Sequence, residues 1–483
     1  MVFAMILDIS ELSERNPWWT NLDRIWNDGY IRRALESGIT WRPRIFTIDE
    51  LNRDAVYTLR GPRQVGKTTY LKFLIAELLK EIDDSRRIIY LSCDPLENVS
   101  ELRETLLNYL RWVRGFTKDR LYIVLDEVTR VTDWQLAVKD LLDHNYLGNS
   151  VVIACGSHSL DVRKGAELLP GRRGNYVPPP DRILYPMSFR EFVSAYEPDL
   201  FTKIESRIKG KSFLEAIKEL RVFRIDLEIL FNKYLITGGF PAAISNFKKN
   251  AERTISIHPY NDLKYYIRGD IIRAKKNPDL AEKIINITIN MMGDPVSINK
   301  IAREANCDPK TAQEYVYVLE SMYIILRIPY PDINSWTPLE RKMKKLYLFD
   351  PFLLYTGRHM LFEGEDPYEL TFKTLNTMKP KILELATASH LKRITPRLFY
   401  WRTTKGREID FLVTSKNSII GIEVKEAPKY RDTTYALAVL NRIPSRRRKT
   451  AIVTGLTRET IINNHQKIIP IPNLLYIINK LFV

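Results

Sequence analysis

The stretch LRGPRQVGKTTYL (residues 59–71) decides how the first third of the chain is read. It holds Gly61, Gly66, Lys67 and Thr68 in the spacing G-x-x-x-x-G-K-[ST]. An apolar run, AVYTLR, precedes it and predicts a strand; TTYLKFLIAELLK follows and predicts a helix. Strand, glycine loop and helix in that order form a phosphate cradle. Glycines let the backbone bend so that several N–H groups face phosphate oxygens, and the helix N-terminus adds partial positive charge. The expected nucleotide-binding residues are Gly61, Pro62, Arg63, Gln64, Val65, Gly66, Lys67, Thr68 and Thr69, with ATP as the ligand. Lys67 is expected to reach the β and γ phosphates, and Thr68 to hold Mg²⁺ through its hydroxyl.

Working outward, RLYIVLDEV (residues 120–128) has an apolar run ending in two carboxylates, as a buried parallel strand does when it delivers them to its C-terminal edge. Asp126 is expected at Mg²⁺ and Glu127 at the attacking water, which makes Glu127 a catalytic candidate beside Lys67. The next apolar run, SVVIACGS, ends in Ser157, placed to sense the γ phosphate; a serine after a strand is otherwise a turn or cap residue. With RIIYLSCD and DRILYP, these runs alternate with helical segments and predict an α/β fold with a parallel sheet.

At 483 residues the chain is too long for one core, and about two to four domains are expected. Hydrophobic residues make up 45% and charged residues 27%, which suits a soluble globular protein. No apolar run approaches the roughly 18 residues that a bilayer span needs, and MVFAMILD lacks the basic flank of a signal peptide. Three scattered cysteines, Cys93, Cys155 and Cys307, exclude a disulfide framework and a Cys-x-x-Cys metal site. A cytoplasmic protein with no membrane partner is expected.

The net charge is +16, and residues 376–483 hold 20 Lys and Arg against 7 Asp and Glu. Nearly all the excess positive charge therefore lies in the last quarter of the chain. A basic domain attracts a polyanion, and DNA is the expected partner; the alternative is a solvated basic surface.

Ahead of that region, INKIAREANCDPKTAQEYVYVLESMY (residues 298–323) carries two apolar stripes at helical spacing around a DP turn, followed by the strand YIILRIPY. This is the pattern of a winged helix. It would serve either as a groove reader or as a joint between domains, since only Lys310 is basic on a face shared with Gln313 and Glu314.

Within the basic region, GREIDFLVTSKNSIIGIEVKEA (residues 406–427) predicts a hairpin. Side chains two apart share a face, so Glu423 and Lys425 point one way and Asp410 can meet them from the neighbouring strand. Two carboxylates suit Mg²⁺ or Mn²⁺, and a lysine beside them can hold or activate a nucleophile. The arrangement resembles the PD-(D/E)XK nuclease core, with EID in place of PD and EVK as the E-x-K half. That resemblance implies Glu384, in KILELATASHL, as a further acidic ligand. Arg402, Lys429–Arg431 and RRRK (residues 446–449) are candidate contacts to a phosphate backbone.

Together, NPWW, LRGPRQVGKTT, LDEV, CGSHSL, LPGRRG, YPMSFREF, GGFP, the winged-helix pattern and EIDF…IEVK are similar, in order, to the AAA+-type ATPases with a DUF4143 C-terminal region, especially the larger archaeal ones. Cys155 stands where that family usually has threonine. The resemblance implies that Arg172 or Arg173 of LPGRRG acts near the nucleotide, in cis or from a neighbouring subunit, and leaves a homo-oligomer open. The expected organisation is an aromatic N-terminal extension (1–50), a P-loop AAA+-like core (51–188), a helical lid (189–293), a winged helix and connector (294–375) and a basic PD-(D/E)XK nuclease-like domain (376–483). The expected function is Mg²⁺-dependent ATP hydrolysis coupled to binding, remodelling or cutting of DNA. The alternative is a nucleotide-controlled switch with a non-catalytic C-terminal binding domain.

Overall fold

The computed structural model describes residues 6–156, 162, 165, 167–169, 171–415 and 417–481. They form two compact units, Met1–Tyr185 and Pro186–Val483.

The first unit is built on a five-stranded parallel sheet of β1 (Ala55–Arg60), β2 (Ile88–Ser92), β3 (Leu121–Asp126), β4 (Ser150–Cys155) and β5 (Asp181–Ile183), ordered β2-β3-β4-β1-β5. The five expected strands are all present. β3 and β4 are buried at every position, as their unbroken apolar runs require when helices cover both faces. β1 and β3 both border β4, so the two loops that leave their C-terminal ends face each other. This is the strand-order reversal at which α/β sheets bind ligands.

The N-terminal extension closes the β2 edge. The Asn16 side-chain amide takes the place of a neighbouring strand: Nδ2 donates to Tyr90 O at 3.1 Å, and Tyr90 N donates to Asn16 Oδ1 at 2.6 Å. Trp18 and Trp19 donate their indole N–H groups to Ile88 O. The NPWW stretch thus satisfies an edge that would otherwise invite pairing with another chain.

The second unit begins with helices from Phe189–Tyr196 to Pro278–Asn290. Next, β6 (Pro295–Val296), the helices Ile298–Ala305 and Pro309–Ser321, β7 (Ile325–Pro329) and β8 (Lys344–Leu348) form a two-helix unit on a three-stranded sheet, ordered β6-β8-β7. Ser297 and Asp308 cap the two helices through their side chains, and the predicted stripe residues Ile301, Ala302, Ala305, Tyr315, Val318 and Leu319 are buried. Lys310, Gln313 and Glu314 are exposed.

The helix Pro367–Ile394 has non-helical backbone at Met378, just ahead of Pro380. It leads into β9 (Leu398–Arg402), β10 (Glu408–Thr414), β11 (Ser418–Lys425), the helix Tyr430–Leu440, β12 (Arg448–Gly455), β13 (Ile461–Ile462) and β14 (Gln466–Pro470). The six strands are ordered β13-β14-β12-β11-β10-β9. β10 and β11 pair antiparallel, as the hairpin predicts, whereas β11, β12 and β14 are parallel. Among the described residues no helix is long and apolar enough to cross a membrane.

Candidate functional site

β1 ends at Arg60, and six residues separate it from the helix Lys67–Leu78. Gly61 has φ 151°, and a Cβ there would lie 2.1 Å from Leu184 O, so only glycine fits. Gly66, with φ 96°, caps the helix. Val65 is fully buried and anchors the loop, while Arg63, Gln64, Thr68 and Thr69 remain partly open to solvent. Lys67 Nζ donates to the carbonyls of Gly61 and Pro62, both at 2.9 Å, and so lies folded along the loop it is expected to serve.

β3 delivers Asp126 to the same edge. Its Oδ2 accepts from Thr68 Oγ1 at 2.7 Å and from Tyr90 OH at 2.9 Å, and its Oδ1 accepts from Glu127 N at 3.0 Å. Burial raises the Asp126 carboxyl, helped by the Glu127 charge, against hydrogen bonds from Thr68, Tyr90 and the Cys155 thiol. Cys155 thus packs its thiol on the carboxylate where the resembling family usually has threonine. Glu127 adopts left-handed backbone, φ 51° and ψ 39°, and its Oε1 meets Arg63 Nη1 at 3.2 Å. The structure brings together Lys67, Thr68, Asp126 and Glu127 as the spacing predicts, and adds Tyr90 and the Arg63 side chain. The oxygens of Thr68 and Asp126 are hard donors already in contact, which fits Mg²⁺. Ser157 lies outside the described residues.

The arginines of LPGRRG sit elsewhere. Arg172 Nε is 2.6 Å from Asp143 Oδ1, and Arg173 Nη1 lies 3.1 Å from both Asp181 oxygens while its Nε donates to Val56 O. Gly174 bridges to Ala55, at the start of β1, whereas the phosphate loop leaves its far end, about 17 Å along the strand. Arg172 is thus paired with Asp143, and Arg173 lies along β1 and β5, between Val56 and an Asp181 that registers with Thr58 in mid-strand.

The second cluster surrounds the β10–β11 hairpin. Asp410 Oδ2 accepts from Val424 N at 2.9 Å, Glu423 Oε2 accepts from Asp410 N at 3.3 Å, and Lys425 Nζ is 2.7 Å from Glu423 Oε1. Asp410 and Glu423 are 8% and 5% exposed, so these charges must be answered within the protein. Lys425 answers Glu423, and two residues of β8 answer Asp410 and its neighbours Glu408 and Glu384. Lys345 of β8 places Nζ 3.0 Å from Asp410 Oδ1 and 2.6 Å from Glu408 Oε1, and Tyr347 OH donates to Glu384 Oε2 at 3.0 Å. Burial and then the Asp410 charge push Glu423 up to about 8 and Glu384 up to about 7. Among the described residues no three His, Cys, Asp or Glu side chains are grouped so as to hold a metal ion. Glu384, Asp410 and Glu423 are instead interleaved with Lys345 and Lys425.

Basic side chains are not all at one place. Arg402, Lys405 and Arg407 are exposed on the β9–β10 connection next to Glu408 and Asp410, and Lys429 and Arg431 are exposed just beyond Lys425. RRRK is not with them: Arg448 pairs with Ser418 at the start of β11, and Lys425 with Gly455 at its end, about 23 Å away.

Comparison with known proteins adds three regional matches. Residues 53–193 match an AAA domain, residues 228–361 a domain of unknown function (DUF8612), and residues 382–474 a domain of unknown function (DUF4143). No curated protein matches the chain. Among solved structures, Cdc6p from Pyrobaculum aerophilum is 13% identical over 80% of this chain and 97% of that one, with a TM-score of 0.26. A DNA polymerase III gamma subunit-related protein from Thermotoga maritima is 15% identical over 57% and 97%, with a TM-score of 0.22. Residues 53–193, which match an AAA domain, hold the parallel five-stranded sheet, and a region that matches DUF4143 follows.

Proposed function

We propose that this protein is a Mg²⁺-dependent ATPase that binds DNA through its basic C-terminal region and remodels or cuts it. In this reading residues 51–188 are the ATPase core behind a 1–50 extension, 189–293 its lid, 294–375 a winged helix and connector, and 376–483 a PD-(D/E)XK nuclease-like domain. What carries the DNA half is one observation: exposed Arg402, Lys405, Arg407, Lys429 and Arg431 lie at the same end of the sheet as Asp410, Glu423 and Lys425. A cationic rim around a carboxylate–lysine cluster suits a phosphodiester backbone.

In the ATPase core, loop amides and Lys67 hold the phosphates, Thr68 and Asp126 would hold Mg²⁺, and Glu127 orients the attacking water. Arg172 acts on a neighbouring subunit in a homo-oligomer. At the C-terminal cluster Asp410 and Glu423, with Glu384 beside them, would hold Mg²⁺ or Mn²⁺ by exchanging the Lys345 and Lys425 contacts that occupy their oxygens. The ion would then supply charge stabilisation at phosphorus. Lys425, exposed and paired with Glu423, holds the nucleophile.

A second reading is favoured by Lys345, whose buried ammonium already neutralises Asp410 and Glu408. On that reading the cluster is structural, and the protein is a nucleotide-controlled switch whose C-terminal region only binds. The test is cleavage of end-labelled single-stranded, duplex and branched DNA with Mg²⁺ or Mn²⁺, with and without ATP, beside Lys425→Ala. Cleavage that vanishes in the variant supports the first reading. DNA binding and ATP hydrolysis without cleavage remove the nuclease part of the first reading, and a turnover that DNA leaves unchanged then selects the second. ATP hydrolysis with neither DNA binding nor cleavage overturns the DNA reading.

A further inference from the structure

Arg63 occupies one of the unspecified positions of the phosphate loop, and its guanidinium does not point into open solvent. Nη1 is 3.2 Å from Glu127 Oε1, and the two side chains are 19% and 18% exposed. Both partners lie on segments between regular elements: Arg63 in the turn after β1, Glu127 at the left-handed residue after β3. The pair ties the turn after β1 to the residue after β3, so it joins the two loops of the site itself. Its consequence is chemical. Glu127 is the carboxylate placed to orient water, and a carboxylate oxygen engaged by a guanidinium is a weaker acceptor for a water proton. The same guanidinium stands in the loop that cradles a phosphate chain. A terminal phosphate carries more charge than a carboxylate and offers a guanidinium the same two-pronged partner.

We propose that Arg63 is a catch on Glu127, holding its carboxylate out of use until the γ phosphate of a bound nucleoside triphosphate draws the guanidinium away. The inference rests on the ATP-hydrolysis reading of this site. Arg63 acts through Glu127 and is a positioning residue. On binding, Arg63 exchanges the Glu127 carboxylate for the γ phosphate, so its net share of affinity is small beside that of the loop amides and Lys67. Each bound chain in which the pair persists turns over slowly.

The test compares steady-state ATP hydrolysis and fluorescent-nucleotide binding for the full-length chain as wild type, Arg63→Ala, Arg63→Lys, Glu127→Gln and the Arg63→Ala/Glu127→Gln pair. The expected result is a kcat at least threefold higher for Arg63→Ala with KM within twofold of wild type. Arg63→Lys returns kcat towards wild type, and the double variant is as slow as Glu127→Gln alone. A lower kcat, an unchanged kcat, or a KM raised more than fivefold in Arg63→Ala overturns the catch while leaving the ATPase reading intact. Nucleotide binding without hydrolysis in wild type and Arg63→Ala alike overturns both.

Discussion

Lys345 Nζ and Asp410 Oδ1 lie 3.0 Å apart with the lysine side chain 1% exposed, so a lysine from one sheet is the counter-ion of a carboxylate on another. Burial alone would strip the proton from this ammonium, but Asp410, Glu408 and Glu384 hold it charged and raise its affinity for the proton. Removing it takes the nearest cation from Asp410 and leaves Glu408 with the longer Arg402 contact at 3.8 Å. Lys345→Met is expected to cost about 3–5 kcal/mol, the range for breaking a buried ion pair. Hydrogen exchange of Glu408–Thr414 and Ser418–Lys425 would read this as lost protection. Adding Asp410→Asn to Lys345→Met should recover part of the loss. Unchanged exchange in Lys345→Met would mean that the pair does not hold these strands.

Asp350 gives the second unit a slope in pH. It is fully buried, accepts from the N–H groups of Phe352 at 2.9 Å and Gly239 at 3.0 Å, and faces Gly238, where any side chain would strike it. Burial pushes its carboxyl up to about 7, against those two hydrogen bonds and the Arg393 charge. A carboxyl raised in the folded state binds its proton more tightly there than in the unfolded chain. Its contribution to stability is therefore largest near pH 4 and falls as the pH rises towards 7, by about 4 kcal/mol at most. Asp350→Asn, which keeps an acceptor oxygen, should flatten that slope. Parallel stability–pH curves for the two proteins between pH 4 and 8 would refute the assignment.

At the phosphate loop the roles separate by what each substitution spares. Glu127→Gln keeps the shape of the side chain but cannot take a proton, so turnover should fall about 100-fold or more with nucleotide affinity retained. Lys67→Ala removes a charged donor, and losing such a bond weakens nucleotide binding by roughly 10- to 100-fold. Steady-state hydrolysis and fluorescent-nucleotide titration distinguish the two. Equal loss of binding in both would mean that Glu127 supports the loop and not the water.

What could be read in advance follows how locally each feature is encoded. Residues 61–68 carry their geometry in one stretch, because the glycine positions and the flanking strand and helix are consecutive. Asp410, Glu423 and Lys425 were legible because strand alternation fixes their faces. Lys345 and Tyr347 were not, being more than sixty residues upstream of Asp410 in KKLYL. The one available signal was two lysines in a strand otherwise fit to be buried, and β8 is buried throughout. Tyr90 is likewise a strand residue whose hydroxyl role depends on β2 lying beside β3. The place of the basic run at 446–449 could not be read in advance, because composition gives charge without register, and register puts it beside the start of β11, away from Lys425.

Arg172 makes the last prediction, because its position in the fold narrows what it can do. It is half-exposed and paired with Asp143, two residues from Gly174 at the start of β1, and on the reading proposed above the phosphate it meets belongs to another copy of the chain. In a homo-oligomer that uses it, Arg172→Ala keeps its own nucleotide site but cannot complete its neighbour's. Lys67→Ala loses its own site but can still lend Arg172. Each variant alone should hydrolyse ATP slowly, and mixing the two should restore activity to a fraction set by the share of mixed contacts. The measurement is hydrolysis rate against mixing ratio at fixed total protein. A maximum at intermediate ratios means that the arginine works across an interface. A rate for Arg172→Ala equal to wild type at every protein concentration means that Arg172 and Asp143 form a surface pair and nothing more.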